Sequence, residues 1–248
     1  MSQIRSMSLG RTSRTATAGL ALAIFAAALM AGGFIAVSRG ILDIDVGFKL
    51  FLGGIALSLI ALAVSLTGLR RTRAVPGRLR AVAGIIVSLL IIAPMAPHIM
   101  AAFSVPPIHD ITTDTDNPPV FVDILPLRAD APNSAEYGGE TLAAAQKAAY
   151  PAIAPLILPV PPAEAFARAQ KIIEARGWTQ VAANAGEGRI EATAETKNMH
   201  FKDDVVIRIS AEGEGSKIDM RSVSRFGQSD LGVNAKRITE FLKDMGAS

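Results

Sequence analysis

Three apolar runs, at 16–37, 48–69 and 81–103, dominate the first part of the chain, and Lys49 at the edge of the second is their only Lys, Arg, Asp or Glu. Each is roughly 20 residues long, which matches a hydrocarbon core about 30 Å thick. Buried helices of a soluble protein normally keep a polar stripe, and these runs have none. The pattern therefore predicts three transmembrane helices. The first run exceeds the roughly 7–15 apolar residues of a signal-peptide core and two further runs follow it, so it reads as retained. Small residues recur along the runs: Gly19, Ala23, Ala27 and Ala31, then Gly54 and Ser58, then Gly84 and Ser88. Such rows let helix backbones approach closely. They predict a compact three-helix anchor, with self-association through the same faces as a further option, and not a conduit.

Residues 104–160 break the pattern with Pro106, Pro107, Pro118, Pro119, Pro126, Pro132, Pro151, Pro155 and Pro159. Prolines at this density prevent long helices and deny donors to a central strand. The segment reads as an extended strap with one short helix at 141–149. Val120, Phe121, Ile124, Ile153, Leu156, Ile157 and Leu158 require it to lie against the folded domain. Regular periodicity returns at 161–248. Pro162 opens a helix with Phe166, Ala169, Ile172 and Ile173 on one stripe, and Gly177 closes it. Alternating stretches at 188–195, 204–210 and 217–225 predict antiparallel strands. Ser229 or Asp230 caps a last helix carrying Leu231, Ala235, Ile238, Leu242 and Met245. Alternation puts Ile190, Ala192, Val205, Ile207, Ile209, Ile218 and Met220 beneath the helices. Glu191, Thr193, Arg208, Asp219, Arg221 and Arg225 then form a charged opposite face. The expected fold is a three-span α-helical membrane anchor (1–103) and a strap (104–160), followed by a small α+β domain (161–248). That domain has an antiparallel sheet of at least three strands, with two helices on one face.

Charge decides orientation. Residues 1–103 hold ten Lys/Arg against two Asp/Glu, while residues 104–248 hold fifteen against twenty. The pI of about 9.4 thus comes from the membrane part, and an acidic carboxyl-terminal half argues against nucleic-acid binding. Arg5, Arg11 and Arg14 precede the first run, and Arg70, Arg71, Arg73, Arg78 and Arg80 lie between the second and third. Positive charge marks the cytoplasmic side. The domain after Phe103 is then expected outside, in the periplasm if the membrane is a bacterial inner membrane. With no cysteine in the chain, disulfides, thiolate zinc sites and cysteine nucleophiles are ruled out.

Two clusters could carry chemistry. Arg208, Arg221 and Arg225, with Ser229 at a helix start, could bind a phosphate or carboxylate. The preferred reading is that Arg208 and Arg221 pair with Glu191, Asp219, Asp203 or Asp204 across strands. His109, Asp110, Asp114 and Asp116 could hold a divalent cation. Pro118 spoils the calcium-loop pattern, and side-chain turns explain the same residues, so no cofactor is expected. His98, beside Pro94 and Pro97, reads as an interfacial histidine; transporters keep ionisable groups deeper in the bilayer. No phosphate-loop, zinc-helix or serine-elbow motif occurs.

Certain stretches resemble a known family. They are the strap motif Pro106-Pro107-Ile108-His109-Asp110-Ile111-Thr112-Thr113-Asp114, Pro118-Pro119-Val120-Phe121, Tyr150-Pro151, Gly188-Arg189-Ile190-Glu191-Ala192, Asp203-Asp204-Val205-Val206-Ile207-Arg208 and Arg221-Ser222-Val223-Ser224-Arg225. Together they are similar to the uncharacterised bacterial group catalogued as domain of unknown function fourteen-ninety-nine, over about 104–245. The resemblance implies an envelope-associated protein and carries no activity, ligand or catalytic residue. The expected role is binding or assembly, with the lipid bilayer and other envelope proteins as partners. The alternative is a membrane-tethered enzyme whose arginine cluster grips an anionic envelope substrate.

Overall fold

The structure is a computed structural model that describes residues 13–72 and 76–247. Arg5, Arg11 and Arg73 lie outside the described residues. The chain divides into two compact units, Met1–Ile99 and Met100–Ser248.

In the first unit, α1 (Arg14–Ser38), α2 (Ile44–Arg71) and α3 (Arg78–Ile92) pack on one another. All three apolar segments are long enough to cross a membrane, the third continuing to Met100. Pro94 and Pro97 each lack an amide donor, and here α3 tightens into a 3₁₀ turn, Ala93–Met95, before α4 (Ala96–Ser104). The buried stripe of α1 is Ala16, Gly19, Ala23, Ala26, Gly33 and Val37. Its spacing follows the heptad seam of left-handed helix pairs, not a strict fourth-residue row. Ala31, expected in that row, is exposed instead. Along α2, Gly47, Gly54, Ser58, Ala61, Ser65 and Gly68 face inward. The approach is close: a Cβ at Gly68 would lie 2.8 Å from the Ala16 Cα. Most of the small residues on the buried stripes of α1 and α2 thus lie in the contacts within one bundle. Arg71 donates to the Thr15 hydroxyl (2.9 Å) and Arg80 to that of Thr17 (3.0 Å). These bonds gather Arg14, Arg70, Arg71, Arg78 and Arg80 at the same end of the bundle.

The second unit contains a six-stranded antiparallel sheet. β3 (Thr179–Asn184), β4 (Arg189–Glu195), β5 (Lys202–Glu212) and β6 (Gly215–Ser224) form a sequential meander. Two short strap strands, β1 (Asp110–Thr112) and β2 (Leu156–Leu158), pair with different lengths of the remaining β6 edge. On one face, α6 (Pro162–Ala175) and α7 (Val233–Ala247) bury the expected residues. Ile190, Val205, Ile207, Ile218 and Met220 meet Ala169, Ile173, Ile238, Phe241 and Met245 there.

The opposite face departs from expectation. It is charged, but it does not face solvent. Strap residues 119–137 cover it and seat Phe121 and Ile124 on Val206 and Val223 as a second apolar cluster. Glu191, Asp204 and Asp219 are all 0% exposed. The strap's apolar residues are also split, since Val120 and Ile157 remain 68% and 55% exposed. α5 (Gly139–Ala149) flanks β1, where the Gln146 amide accepts from the Thr112 N–H (2.9 Å) and donates to its carbonyl (2.6 Å). A side chain thereby does the work of a further strand and closes the sheet edge.

Candidate functional site

The densest assembly of ionisable groups lies between the sheet and the strap. Arg221, on β6, makes a two-pronged contact with Asp110, on β1: Nε to Oδ1 at 2.9 Å and Nη2 to Oδ2 at 2.7 Å. Fork-to-carboxylate pairing of this kind fixes both position and plane. The guanidinium also donates to the carbonyls of Pro119 (3.3 Å) and Ala135 (2.8 Å). It stacks between the rings of Phe121 (5.2 Å) and Tyr137 (5.4 Å). Arg225 grips Asp204 in the same two-pronged way, at 2.8 Å for each contact. Asp204 also accepts from Thr193 (2.8 Å) and pairs with Arg128 of the strap at 3.3 Å. Burial pushes the Arg128 guanidinium below its ordinary pKa, and the positive Arg225 and Arg221 add to that. Burial, and then the negative Asp110, push the Tyr137 phenol up to about 12.

Glu191 fastens the strap. Its carboxylate accepts three consecutive backbone N–H groups: Val122 (2.8 Å), Asp123 (3.3 Å) and Ile124 (2.8 Å). Arg189 bonds the same carboxylate, together with Asp123 and Glu187. These bonds outweigh burial and raise the Arg189 pKa above its ordinary value. The buried charge is therefore compensated on both sides, as a buried ion requires.

Arg208 makes a separate set of contacts. It pairs with Asp219 (2.8 Å) across the strands and with Asp114 (3.0 Å) of the strap. Lys217 joins the same two carboxylates at 3.3 Å and 3.4 Å. Burial works to raise the Asp114 pKa, but the Asn117 amide, Lys217 and Arg208 outweigh it and hold that carboxyl below its ordinary value. Beside this group lies a cleft of about 280 Å³, lined in part by Thr113, Asp116, Lys147 and Tyr150.

The three arginines that could have bound an anion each hold an aspartate instead, in keeping with the preferred ion-pair reading. The cross-strand pairing holds for Arg208 with Asp219, whereas Arg221 selects Asp110, more than a hundred residues earlier. Ser229 stands apart from them, its hydroxyl accepting the Leu231 N–H at 3.3 Å. The divalent-cation candidates are likewise dispersed. His109 Nδ1 contacts the Gln228 carbonyl (3.3 Å), Asp110 holds Arg221, Asp114 holds Arg208 and Lys217, and Asp116 holds Lys147 (3.0 Å). Among the described residues, no three His, Asp or Glu side chains converge where a metal ion could sit.

Sequence reasoning missed Glu191 as an amide acceptor, and it missed Arg128, Tyr137 and Asn234. Asn234 is fully buried and donates to the His109 carbonyl (3.0 Å) and the Ser224 hydroxyl (2.9 Å). A lone arginine in an otherwise apolar strap segment, Leu125-Pro126-Leu127-Arg128, was the one local signal for a buried partner.

Residues 110–245 match the family described as protein of unknown function (DUF1499). That range takes in both strap strands, the whole sheet, the buried ion network and most of α7. No curated protein matches the chain.

Proposed function

The chain belongs to the DUF1499 family, and on that premise we propose that it is a membrane-anchored protein that presents this family domain for binding or assembly, on the periplasmic side of a bacterial inner membrane. Three helices long and apolar enough to cross a membrane precede the domain. The side is inferred from charge. Arg14, Arg70, Arg71, Arg78 and Arg80 share one end of the bundle, and such clusters stay in the cytoplasm. The third span then carries the chain outward.

The observation that carries the binding role is the outer surface of the strap. Phe121, Ile124 and Arg128 turn inward, while Val120, Val122, Leu125 and Leu127 are 43–68% exposed. Contiguous apolar side chains on an otherwise polar domain mark contact surfaces. The enzyme alternative needs a free arginine cluster, and each of its arginines already holds a carboxylate. A photoreactive residue at Leu127, and separately at Glu174 on α6, tests the reading in intact cells. A discrete adduct with an envelope protein from Leu127 alone supports it. No adduct from Leu127, or equal adducts from both positions, rejects it.

A further inference from the structure

The loop leading into α7 combines two unfavourable features. Leu231 is 39% exposed and holds φ at +53°, a conformation that suits glycine and strains a bulky side chain. Val233, two residues on, is 49% exposed. Strain of this kind persists where its surroundings hold it in place. Here three hydrogen bonds tie the loop to the first residues of the domain. The Asp230 N–H donates to the Ile108 carbonyl (3.2 Å), the Asn234 side chain donates to the His109 carbonyl (3.0 Å), and the His109 ring contacts the Gln228 carbonyl (3.3 Å).

Chain length bounds how far this loop can lie from lipid. Helix α4 runs to Ser104, and Ile108 follows four residues later. A helical rise from Met100 to Ser104, plus four extended residues, puts Ile108 within about 20 Å of the end of the third apolar segment. Phe103, 88% exposed in the last turn of α4, adds an apolar ring on the same short stretch. The loop's one acid does not oppose lipid contact. Asp230 turns inward to accept from the Gly232 N–H (2.8 Å) and the Asn234 N–H (2.7 Å), and burial raises its pKa.

We infer that Leu231 and Val233 insert into the bilayer interface and seat the base of the domain on the membrane that anchors it. Their occupant is lipid, and the inference holds whichever side of the membrane the domain occupies. Glu214, in the hairpin joining β5 to β6, serves as the control, because β6 runs about 30 Å from Gly215 to Ser224, whose N–H bonds His109. The chain has no cysteine, so single cysteines at Leu231, Val233 and Glu214 in the full chain can each carry an environment-sensitive fluorophore. The vesicles are of phosphatidylethanolamine and phosphatidylglycerol. Blue-shifted emission and severalfold weaker quenching by aqueous iodide at 231 and 233 than at 214, with strong quenching by lipid-borne nitroxide, support the inference. Equal iodide quenching at all three positions overturns it. So does protection that vanishes on dilution with unlabelled chain, which would mean contact with a second copy. Leu231→Gly separates lipid contact from fold. It is expected to keep or raise the unfolding midpoint while exposing the label at 233 to iodide. A lowered midpoint with an unchanged label contradicts the inference.

Discussion

Arg221 concentrates most of what the fold asks of a single side chain. It is 2% exposed, and its charge is met by the Asp110 carboxylate, two carbonyls and two aromatic faces. Breaking such a pair leaves an uncompensated buried carboxylate and costs about 3–5 kcal/mol. Arg221→Met is therefore expected to lower the unfolding midpoint sharply, read from Trp178, the only tryptophan. Adding Asp110→Asn should recover part of the loss, whereas an additive double variant would mean that the two groups act independently. Tyr137 supplies a pH test. Its folded-state pKa is raised from 10.0 to about 12, so its contribution is intact below the unfolded value and fades as pH climbs through the folded one. Unfolding measured between about pH 10 and 12 should steepen in the native chain relative to Tyr137→Phe. Superimposable curves would refute the assignment. None of these partnerships was readable locally. Arg208 found its opposite number on the neighbouring strand, where alternation places it. Arg221 reached across the chain to Asp110, and no periodicity encodes that pairing.

At the scale of elements, what could be read depended on repetition. The apolar runs, the stripes of α6 and α7, and the alternation of β4, β5 and β6 each repeat a period over several turns or residue pairs. The structure reproduces them except at the start of α7, which begins at Val233 and leaves Leu231, expected on its stripe, in the preceding loop at positive φ. β1 and β2 are three residues each, too short for a period, and their pairing depends on β6 having a free edge. β3 carries Ala182, Ala183 and a register shift between Gln180 and Ala182, which blur its alternation. The strap's attachment was hidden for a different reason. Its latch, Glu191, looked from sequence like an outward residue on a polar face, because the cover over that face is itself irregular. Glu191→Gln retains the side-chain size but removes the charge and offers one acceptor oxygen in place of two. The expected loss is about 1–3 kcal/mol, and it should appear first as faster hydrogen exchange at Val122, Asp123 and Ile124. Unchanged exchange at those amides, with the variant folded, would show that the strap is held by Phe121 and Ile124 alone.

For the whole molecule, the two halves speak in different ways. The membrane part announces itself by composition, and its small residues are consumed in packing three helices together. The family domain uses many of its charges for internal cohesion, and its otherwise polar surface carries two apolar patches, the strap ridge and the loop at Leu231. A buried polar network is costly unless every member is matched. The many pairs between strap and sheet make the strap an integral layer of the domain. The proposed orientation of that domain rests on arginines gathered at one end of the helical bundle, and the proposed role depends on it. The most direct test labels Glu174→Cys, an exposed position on α6, with a membrane-impermeant maleimide in intact spheroplasts. The account predicts full labelling without lysis. Labelling that appears only after the membrane is opened would place the domain in the cytoplasm and contradict it.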